Sequence, residues 1–460
     1  MIERTIHITC PKGMPPILRR EVEALGYEVV AELPAGVTLR GTLRDCMVLN
    51  LQLRTAMRVL WTLAEFSAWT PDDLYNHVSR IPWEEFIAED GYFSVHTVVQ
   101  TPSIDNTQYA GLRCKDAIVD RFRQVSGNRP DSGKETARTV VFLYWVGCTC
   151  TVSIDTSGNP LSNRGYRIHP GSAPLRENLA AAMLLETRWD CESAFVNPMC
   201  GSGTLAIEAA LIACNVAPGL LRRNFGFMHV LGYDPAEWNA LVAEARVATL
   251  PSPRAPIVAT DISREAVADA RDNAHAANVD RFIEFKVCDF RDTPVPPGPG
   301  VVIFNPPYGE RLAAGDGYEQ REEQRGPAQR LDARGGQPQS RGPAVRSFDP
   351  RGPAIRSFDP RGPSARPGFR DEPPAFRDAP RMDPAERAEL EQLYTDIGLW
   401  LKAKARGKLA YLLTSNQKLA KRVRLNPSHR VTLYNTQLEC TFYEYEMRPA
   451  DASDAPRRDA

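Results

Sequence analysis

The sequence shows no excess of charge of either sign and no cluster of cysteines or histidines. Its 56 Lys and Arg nearly balance its 57 Asp and Glu, which excludes a strongly basic coating protein. Hydrophobic residues make up 43%, which excludes a wholly disordered chain. The ten cysteines are scattered without a Cys-x-x-Cys pair, and so are the seven histidines. We therefore expect neither a metal site nor a disulfide framework, and free thiols in a reducing cytoplasm.

Long apolar runs are also missing. No stretch approaches the ~18 uninterrupted apolar residues of a membrane-spanning helix. The first residues, Met1 to Arg4, lack the charged-then-apolar pattern of a secretory signal. The expectation is a cytoplasmic protein that does not enter a membrane.

Proline, by contrast, is abundant, at 38 of 460 residues. Residues 313–381 hold 11 Pro, 9 Gly and 13 Arg, and include the repeats RGPAVRSFDP (341–350) and RGPAIRSFDP (351–360). Because so few apolar side chains cannot offset the entropy of ordering, we predict a disordered insertion over 313–384 and a disordered tail over 450–460. The insertion is either a passive, tolerated segment or one whose Arg and Phe side chains make weak stacking contacts with planar groups of a partner.

The remaining residues fall into two regions with different patterns. Residues 1–165 mix short helical and strand patterns, whereas from about residue 178 helical stretches alternate with short apolar strands. That alternation predicts an α/β fold with a parallel sheet and crossover helices. The predicted helices are 15–25, 112–122, 178–186, 204–214, 263–277 and 386–404, and the predicted strands are 138–145, 148–154, 193–196, 256–260, 283–287, 300–304 and 409–413.

Glycines follow the first strand of the second region, in the segment Asn197 to Thr204 (NPMCGSGT). Gly201 and Gly203 allow a tight turn and a close approach of the backbone to a ligand, and the helix that starts at Thr204 offers free N–H groups. Alone, this is a weak sign of a nucleotide site, and a simple tight turn stays an alternative.

Carboxylates follow the next two strands. Asp261 can accept hydrogen bonds from both hydroxyls of a ribose, with a helix cap formed together with Ser263 as the alternative. Asp289 can accept the amino group of an adenine, or it is a solvated loop carboxylate.

The sharpest signal is an apolar strand that ends in Asn305, Pro306, Pro307 and Tyr308. The prolines stiffen the turn, so that the Asn305 carboxamide and the Pro306 carbonyl form two fixed acceptors, and Tyr308 offers a ring for stacking. Such a site suits a conjugated NH₂ group, since accepting both its hydrogens frees its lone pair for attack. A generic turn with two prolines is the alternative.

In this order the four motifs NPMCGSGT, VATD, VCD and NPPYGERL are similar to those of class I S-adenosylmethionine-dependent methyltransferases that act on amino groups. Further segments resemble THUMP-domain guanine-N2 RNA methyltransferases, and these are 106–118, 155–161 (DTSGNPL), 164–167 (RGYR), 173–177 (APLRE) and 434–440. The resemblance covers nearly everything outside 313–381 and the last ten residues. It is nearest to the bacterial enzymes for 23S rRNA, in the single-enzyme form without a fused second methyltransferase.

The resemblance implies a Rossmann-like class I methyltransferase fold with an N-terminal α+β RNA-binding region. The implied domains are ferredoxin-like (1–66), THUMP (67–165) and methyltransferase (166–312 and 385–449). The implied catalytic residues are Asn305, Pro306, Pro307 and Tyr308. The implied S-adenosylmethionine-binding residues are Asn197, Pro198, Cys200, Gly201, Ser202, Gly203, Thr204, Asp261, Ile262, Asp289 and Phe290. Asn197 departs from the family, in which many members have Asp.

RNA is the expected partner, and 23S rRNA or a pre-ribosomal particle is favoured over tRNA. Residues 402–430 hold nine Lys or Arg and no Asp or Glu, which predicts a basic face flanking the catalytic strand ends, with a solvated helix face as the alternative. The predicted RNA-binding residues are Gln108, Arg113, Lys115, Lys402, Lys404, Lys418, Lys421, Arg422 and Arg424. The chain is expected to act as a monomer. A non-catalytic RNA-binding ribosome-assembly protein is the alternative of another class.

Overall fold

The computed structural model describes residues 2–104, 106–169, 175–309 and 383–449. Apart from residues 383 and 384, the predicted disordered insertion lies outside these ranges, and the predicted tail (450–460) lies wholly outside them. Within these ranges no helix is both long enough and apolar enough to cross a membrane.

The N-terminal region forms a mixed sheet with four helices in its described residues. Its elements are β1 (Arg4–Thr9), α1 (Pro15–Ala24), β2 (Ala31–Leu33), β3 (Gly36–Gly41), α2 (Leu43–Gln52), β4 (Arg58–Ser67), α3 (Pro71–Val78), β5 (Tyr92–Gln100), α4 (Thr107–Val125), β6 (Asp131–Gly133), β7 (Thr139–Val146) and β8 (Thr149–Asp155). The strand order is β2-β3-β1-β4-β8-β7-β5-β6. The elements predicted here are confirmed, and α4 is longer at both ends than predicted.

Strand β4 joins the two halves of this sheet. It pairs antiparallel with β1, where Trp61 lies opposite Ile6, and with β8, where Phe66 lies opposite Cys150. The sheet therefore continues across the predicted domain boundary at 66/67, which stays a prediction.

The second region alternates strands and helices. Its elements are α5 (Glu177–Glu186), β9 (Ala194–Pro198), α6 (Thr204–Ala213), α7 (Pro235–Val247), β10 (Ile257–Asp261), α8 (Arg264–Ala276), β11 (Ile283–Val287), β12 (Gly300–Phe304), α9 (Pro384–Lys404), β13 (Leu409–Thr414), α10 (Gln417–Arg422), β14 (His429–Asn435) and β15 (Leu438–Glu446). All helices and strands predicted in this region are confirmed, with bounds within two residues.

The second sheet has the order β11-β10-β9-β12-β13-β15-β14, in which β9 to β13 are parallel. Strand β15 is antiparallel to both its neighbours. Because parallel strands end at the same edge, the segments that follow β9 to β13 meet at the carboxyl edge of this sheet. The turn between β14 and β15 lies at that edge too, because β14 runs in the same direction as β13. The Rossmann-like α/β fold is thus confirmed.

A buried polar network ties the N-terminal region to α6, the helix that follows the glycine segment. The Arg164 guanidinium donates to the backbone carbonyls of Leu161 (2.7 Å) and Arg54 and lies 3.5 Å from the Glu208 carboxylate on α6. The Tyr166 hydroxyl donates to the same carboxylate at 3.1 Å. Burial raises the pKa of Glu208. The segment between the two sheets is therefore fixed to the helix that starts at the candidate site.

Candidate active site

Four predicted motifs meet at the carboxyl edge of the second sheet. Strand β9 lies between β10 and β12, with Pro198 opposite Thr260 and Val196 opposite Val302. The residues that follow these strands, among them Asp261 and Asn305, therefore come together although they are distant in sequence.

The glycine segment after β9 is a tight, left-handed turn. Met199, Gly201 and Gly203 have φ angles of 56°, 54° and 82°. A Cβ atom at Gly203 would lie 2.8 Å from the Cβ of Ala270 on α8, whereas one at Gly201 would meet nothing within 4 Å. Gly203 thus permits the close approach of two helices, and Gly201 leaves open space above the start of α6.

Substituting Gly203 with alanine should destabilise the protein by roughly 1–3 kcal/mol, because a side chain there is strained in φ and clashes with Ala270. Gly298→Ala is a matched control: its φ is +83° and nothing lies within 4 Å of its Cβ position. Urea unfolding of both variants measures the difference. Equal losses would show that the contact with Ala270 has no energetic importance.

Asp261 organises the glycine segment. Its Oδ2 accepts a hydrogen bond from the backbone N–H of Gly201 and its Oδ1 accepts one from that of Ser263, both at 2.9 Å. The side-chain cap of α8 is Ser263, which accepts from Ala266 N–H. The neighbouring Ile262 is 72% exposed, an apolar side chain left open beside the carboxylate.

Asp289 lies in the loop after β11, which is joined to the Asp261 loop by a hydrogen bond from Cys288 N–H to the Asp261 carbonyl at 3.0 Å. Its carboxylate accepts from the backbone N–H (2.9 Å) and the guanidinium (2.8 Å) of Arg291. The Phe290 ring is buried and packs edge-on against Phe304. Only its backbone is therefore available to a ligand.

Cys200 and Asn197 differ in what they offer to a ligand. Burial raises the pKa of the Cys200 thiol, and the nearby Asp261 carboxylate raises it further, so the side chain stays neutral. The Asn197 Nδ2 donates to the Ile303 carbonyl at 2.9 Å, which links β9 to β12. Its buried Oδ1 has no hydrogen-bond partner among the described residues. An ionised aspartate in place of Asn197 would have no hydrogen to donate to the Ile303 carbonyl. Asn197 therefore has a structural role in addition to its buried oxygen, which lacks a partner among the described residues.

Two predicted residues of the glycine segment are held by Arg167, which sequence reasoning did not place in the site. The Arg167 guanidinium donates to the hydroxyl oxygens of Ser202 (3.4 Å) and Thr204 (3.0 Å), to the Leu175 carbonyl and to the Glu177 carboxylate (both 2.8 Å). Arg167 and Glu177 lie in the RGYR and APLRE segments, whose resemblance to the family was the available signal.

Asn273 on α8 also contacts the glycine segment, at Ser202. Its Oδ1 accepts from the backbone N–H groups of Ile168 (2.8 Å) and His169 (3.1 Å). Its Nδ2 donates to the carbonyls of His169 and Ser202, both at 3.1 Å. The buried amide thus uses its four hydrogen bonds to join α8 to residues 168–169 and, through the Ser202 carbonyl, to the glycine segment. Nothing in the sequence pattern had indicated it.

The segment after β12 presents one acceptor without a hydrogen-bond partner among the described residues. Asn305 is partly exposed, but its Oδ1 is buried and has no hydrogen-bond partner in the described ranges. Tyr308 is only 8% exposed, and its hydroxyl accepts from Asn435 Nδ2 at 3.2 Å. The Tyr394 hydroxyl lies 3.4 Å from the Pro307 carbonyl and braces the turn from α9. The site therefore combines a braced backbone with an amide oxygen that has no donor among the described residues.

Two of the three residues predicted to contact RNA in the N-terminal region, Arg113 and Lys115, line a groove between α3 and α4 with a volume of about 330 Å³. Arg113 is paired with Asp72 at 2.7 Å and its guanidinium lies 4.6 Å from the centre of the Tyr75 ring. Lys115 lines the groove, and Gln108 is exposed in the first turn of α4. Asp116 and Asp120 line the groove as well, so its charge is mixed.

Strand β13 lies within residues 402–430, the segment predicted to form a basic face. Lys402 and Lys404 end α9 before β13 begins, at the amino edge, whereas Lys418, Lys421 and Arg422 lie on α10, which follows β13 at the carboxyl edge. Arg422 pairs with Glu391 on α9, and Arg424 lies beyond α10. The structure therefore does not bring the nine basic residues together on one face beside the catalytic strand ends.

Within the described ranges, no three His, Cys, Asp or Glu side chains come together as metal ligands. The arrangement that is present is a glycine turn, a strand-end carboxylate and the amide oxygens of Asn197, Asn305 and Asn435, which have no hydrogen-bond partner among the described residues. These features fit a nucleoside-bearing cofactor beside an amine substrate.

Three family models match successive parts of the chain. Residues 5–60 match an RlmL ferredoxin-like domain, residues 69–155 match a THUMP domain, and residues 164–321 match an RMKL-like methyltransferase domain.

Individual relatives agree with these domains. A Ribosomal RNA large subunit methyltransferase K/L from Syntrophotalea carbinolica is 33% identical over 467 residues, which cover 97% of this chain and 55% of the relative. A candidate methylase of known structure from Clostridium difficile is 27% identical, with a TM-score of 0.75 and 100% of both chains covered. A candidate methyltransferase whose crystal structure contains SAH has a TM-score of 0.76 and is 23% identical, with 98% of this chain and 100% of that chain covered. This similarity shows the fold. The chain spans about half the length of the curated relatives it matches.

Proposed function

Because the chain joins an RlmL-type ferredoxin-like domain, a THUMP domain and an RMKL-like methyltransferase domain, we propose that it methylates the exocyclic N2 of a guanine in 23S rRNA, with S-adenosylmethionine as methyl donor. The observation that best supports this is the buried Oδ1 of Asn305, an acceptor without a partner among the described residues. A buried acceptor left unpaired is costly, and an NH₂ donor from a substrate satisfies it.

The N2 amine of guanine is a weak nucleophile because its lone pair is conjugated with the ring. The Asn305 Oδ1 and the Pro306 carbonyl each accept one of its hydrogens, which draws the nitrogen towards tetrahedral geometry and frees the lone pair. The two prolines and the brace from Tyr394 keep both acceptors in place. Tyr308 lies beside the base with its hydroxyl held by Asn435.

The residues around the glycine segment suit the proposed cofactor. The Asn197 Oδ1, which has no partner among the described residues, suits an ammonium group. Each Asp261 oxygen accepts one backbone N–H and retains a lone pair for a ribose hydroxyl. The exposed Ile262 side chain suits the face of an adenine. Asp289 is the candidate acceptor for the adenine amino group. When bound, S-adenosylmethionine supplies an electrophilic methyl group to the amine.

The rRNA substrate is supported by the names of the curated relatives. The N2 of a paired guanine lies inside the helix, so the target base is unpaired or is flipped out. Lys418 and Lys421 on α10 are exposed at the same sheet edge and suit phosphate contacts. We place the reaction in the cytoplasm and assign it to a monomer.

Incubating the purified chain with labelled S-adenosylmethionine and unmodified 23S rRNA, 16S rRNA or tRNA tests this function. We expect label only in 23S rRNA, recovered as N2-methylguanosine at a single position by nuclease digestion and mass spectrometry. Label in tRNA alone would replace the rRNA assignment by the tRNA alternative. Absence of cofactor binding and of label from all three RNAs would favour a non-catalytic RNA-binding protein.

A further inference from the structure

Asn435 is a buried residue at the carboxyl edge of the second sheet, and only the nitrogen of its side-chain amide has a hydrogen-bond partner among the described residues. It ends β14, immediately before the turn to β15, and is 2% exposed. Its Nδ2 donates to the Tyr308 hydroxyl at 3.2 Å, a contact between residues 127 positions apart. Its Oδ1 is buried and has no hydrogen-bond partner in the part of the chain that the structure describes.

Two amide oxygens without described partners therefore lie around one short turn. Asn305 Oδ1 is three residues before Tyr308, and Asn435 is bonded to Tyr308 itself. Since a buried amide oxygen needs a donor, the pair suits a planar ligand that presents several hydrogens along one side. The bond to Tyr308 fixes the amide plane of Asn435, and with it the direction in which Oδ1 accepts.

Among the bases, guanine has this pattern. Its Watson–Crick edge carries N1–H directly beside the N2 amine, whereas the corresponding N1 of adenine is an acceptor. We infer that Asn435 is a specificity-determining residue whose Oδ1 accepts the N1–H of the target guanine while Asn305 accepts from the N2 amine. This inference rests on the proposed function and adds to it the residue that selects the base.

2-Aminopurine separates the two interactions, because it keeps the 2-amino group and lacks N1–H. The test uses the full chain and full-length 23S rRNA assembled by ligation, with the mapped guanine kept or replaced by 2-aminopurine. For the wild type we expect at least about 10²-fold faster methylation of guanine, since a site built to accept an N–H rejects the base that lacks it. Asn435→Ala should slow guanine by about 10²-fold and 2-aminopurine by less than about threefold, which removes the preference.

Two further variants test how base selection depends on the orientation of the Asn435 amide. Tyr308→Phe removes the hydroxyl that orients this amide but keeps its oxygen, so it should slow guanine more than 2-aminopurine and reduce the preference without abolishing it. Gln437→Ala, an exposed residue in the same turn, should leave both rates unchanged. Binding of S-adenosylmethionine and the melting temperature of each variant show that the fold is retained.

Equal slowing of both bases by Asn435→Ala, or wild-type methylation of guanine by this variant, would overturn the inference while leaving the proposed function intact. If the wild type methylates no guanine in any RNA, the proposed function fails and the base selection fails with it. A wild type that uses both bases equally would show that N1–H is not recognised.

Discussion

Replacing Asn305 with alanine should slow methyl transfer by roughly 10²–10³-fold at saturating RNA and cofactor, the cost of removing one preorganised hydrogen-bonding group from a reaction centre. The loss should fall on the chemical step, because the Asn305 oxygen is offered to the amine whose lone pair must be freed. Binding of S-adenosylmethionine should change by less than about threefold, since the predicted cofactor residues follow other strands. Single-turnover methylation and calorimetric titration of the cofactor measure the two effects separately.

Asn426→Ala is a matched control for this prediction, because Asn426 is an exposed asparagine of the same region outside the site. It should keep the wild-type rate. If Asn305→Ala methylates at the wild-type rate, the amine-acceptor mechanism is wrong. If the wild-type chain itself binds RNA and transfers no methyl group, the non-catalytic alternative is favoured.

The strand-end motifs were predictable because their chemistry is local. Asn305, Asp261 and the glycines directly follow apolar strands, and a parallel sheet brings such residues to one edge whatever the length of the connections. The bounds of β11 and β12 agree with the predicted ranges for the same reason, since each is a short apolar run between turns.

The supporting contacts were not predictable, because each joins residues distant in sequence. Asn273 reaches Ile168 across 105 residues, and Arg167 reaches Thr204 across 37. A buried amide on a helix gives no periodic signal that distinguishes it from a solvated one. The separation of Lys402 from Lys418 also depends on β13, which carries the chain from one edge of the sheet to the other.

Helices α2 and α3 were missed for a different reason. Their starts depend on capping boxes, in which Thr42 pairs with Asp45 and Thr70 with Asp73. A Thr with Asp three residues later marks a helix start by reciprocal hydrogen bonds, not by hydrophobic period. The pairs Thr42–Asp45 and Thr70–Asp73 are therefore the sequence signals for the starts of these two helices.

Arg167→Ala should lower the stability of the protein by about 3–5 kcal/mol, because it leaves the Glu177 carboxylate buried without its partner. Glu177 is 7% exposed and Arg167 15%, so water compensates little. The substitution also frees Ser202 and Thr204, which should weaken binding of S-adenosylmethionine by at least about tenfold, as expected when a preorganised site is loosened. Urea unfolding and calorimetric titration measure these losses.

The double variant Arg167→Ala/Glu177→Ala separates the two effects of Arg167. Removing the unpaired carboxylate should recover part of the stability, whereas cofactor affinity should stay low because the hydroxyls of Ser202 and Thr204 remain without their anchor. Arg254→Ala is the control: this arginine pairs with Glu192 at the surface, where such a pair contributes under about 1 kcal/mol. Recovery of affinity together with stability would mean that Arg167 acts through the fold alone and does not position the glycine segment.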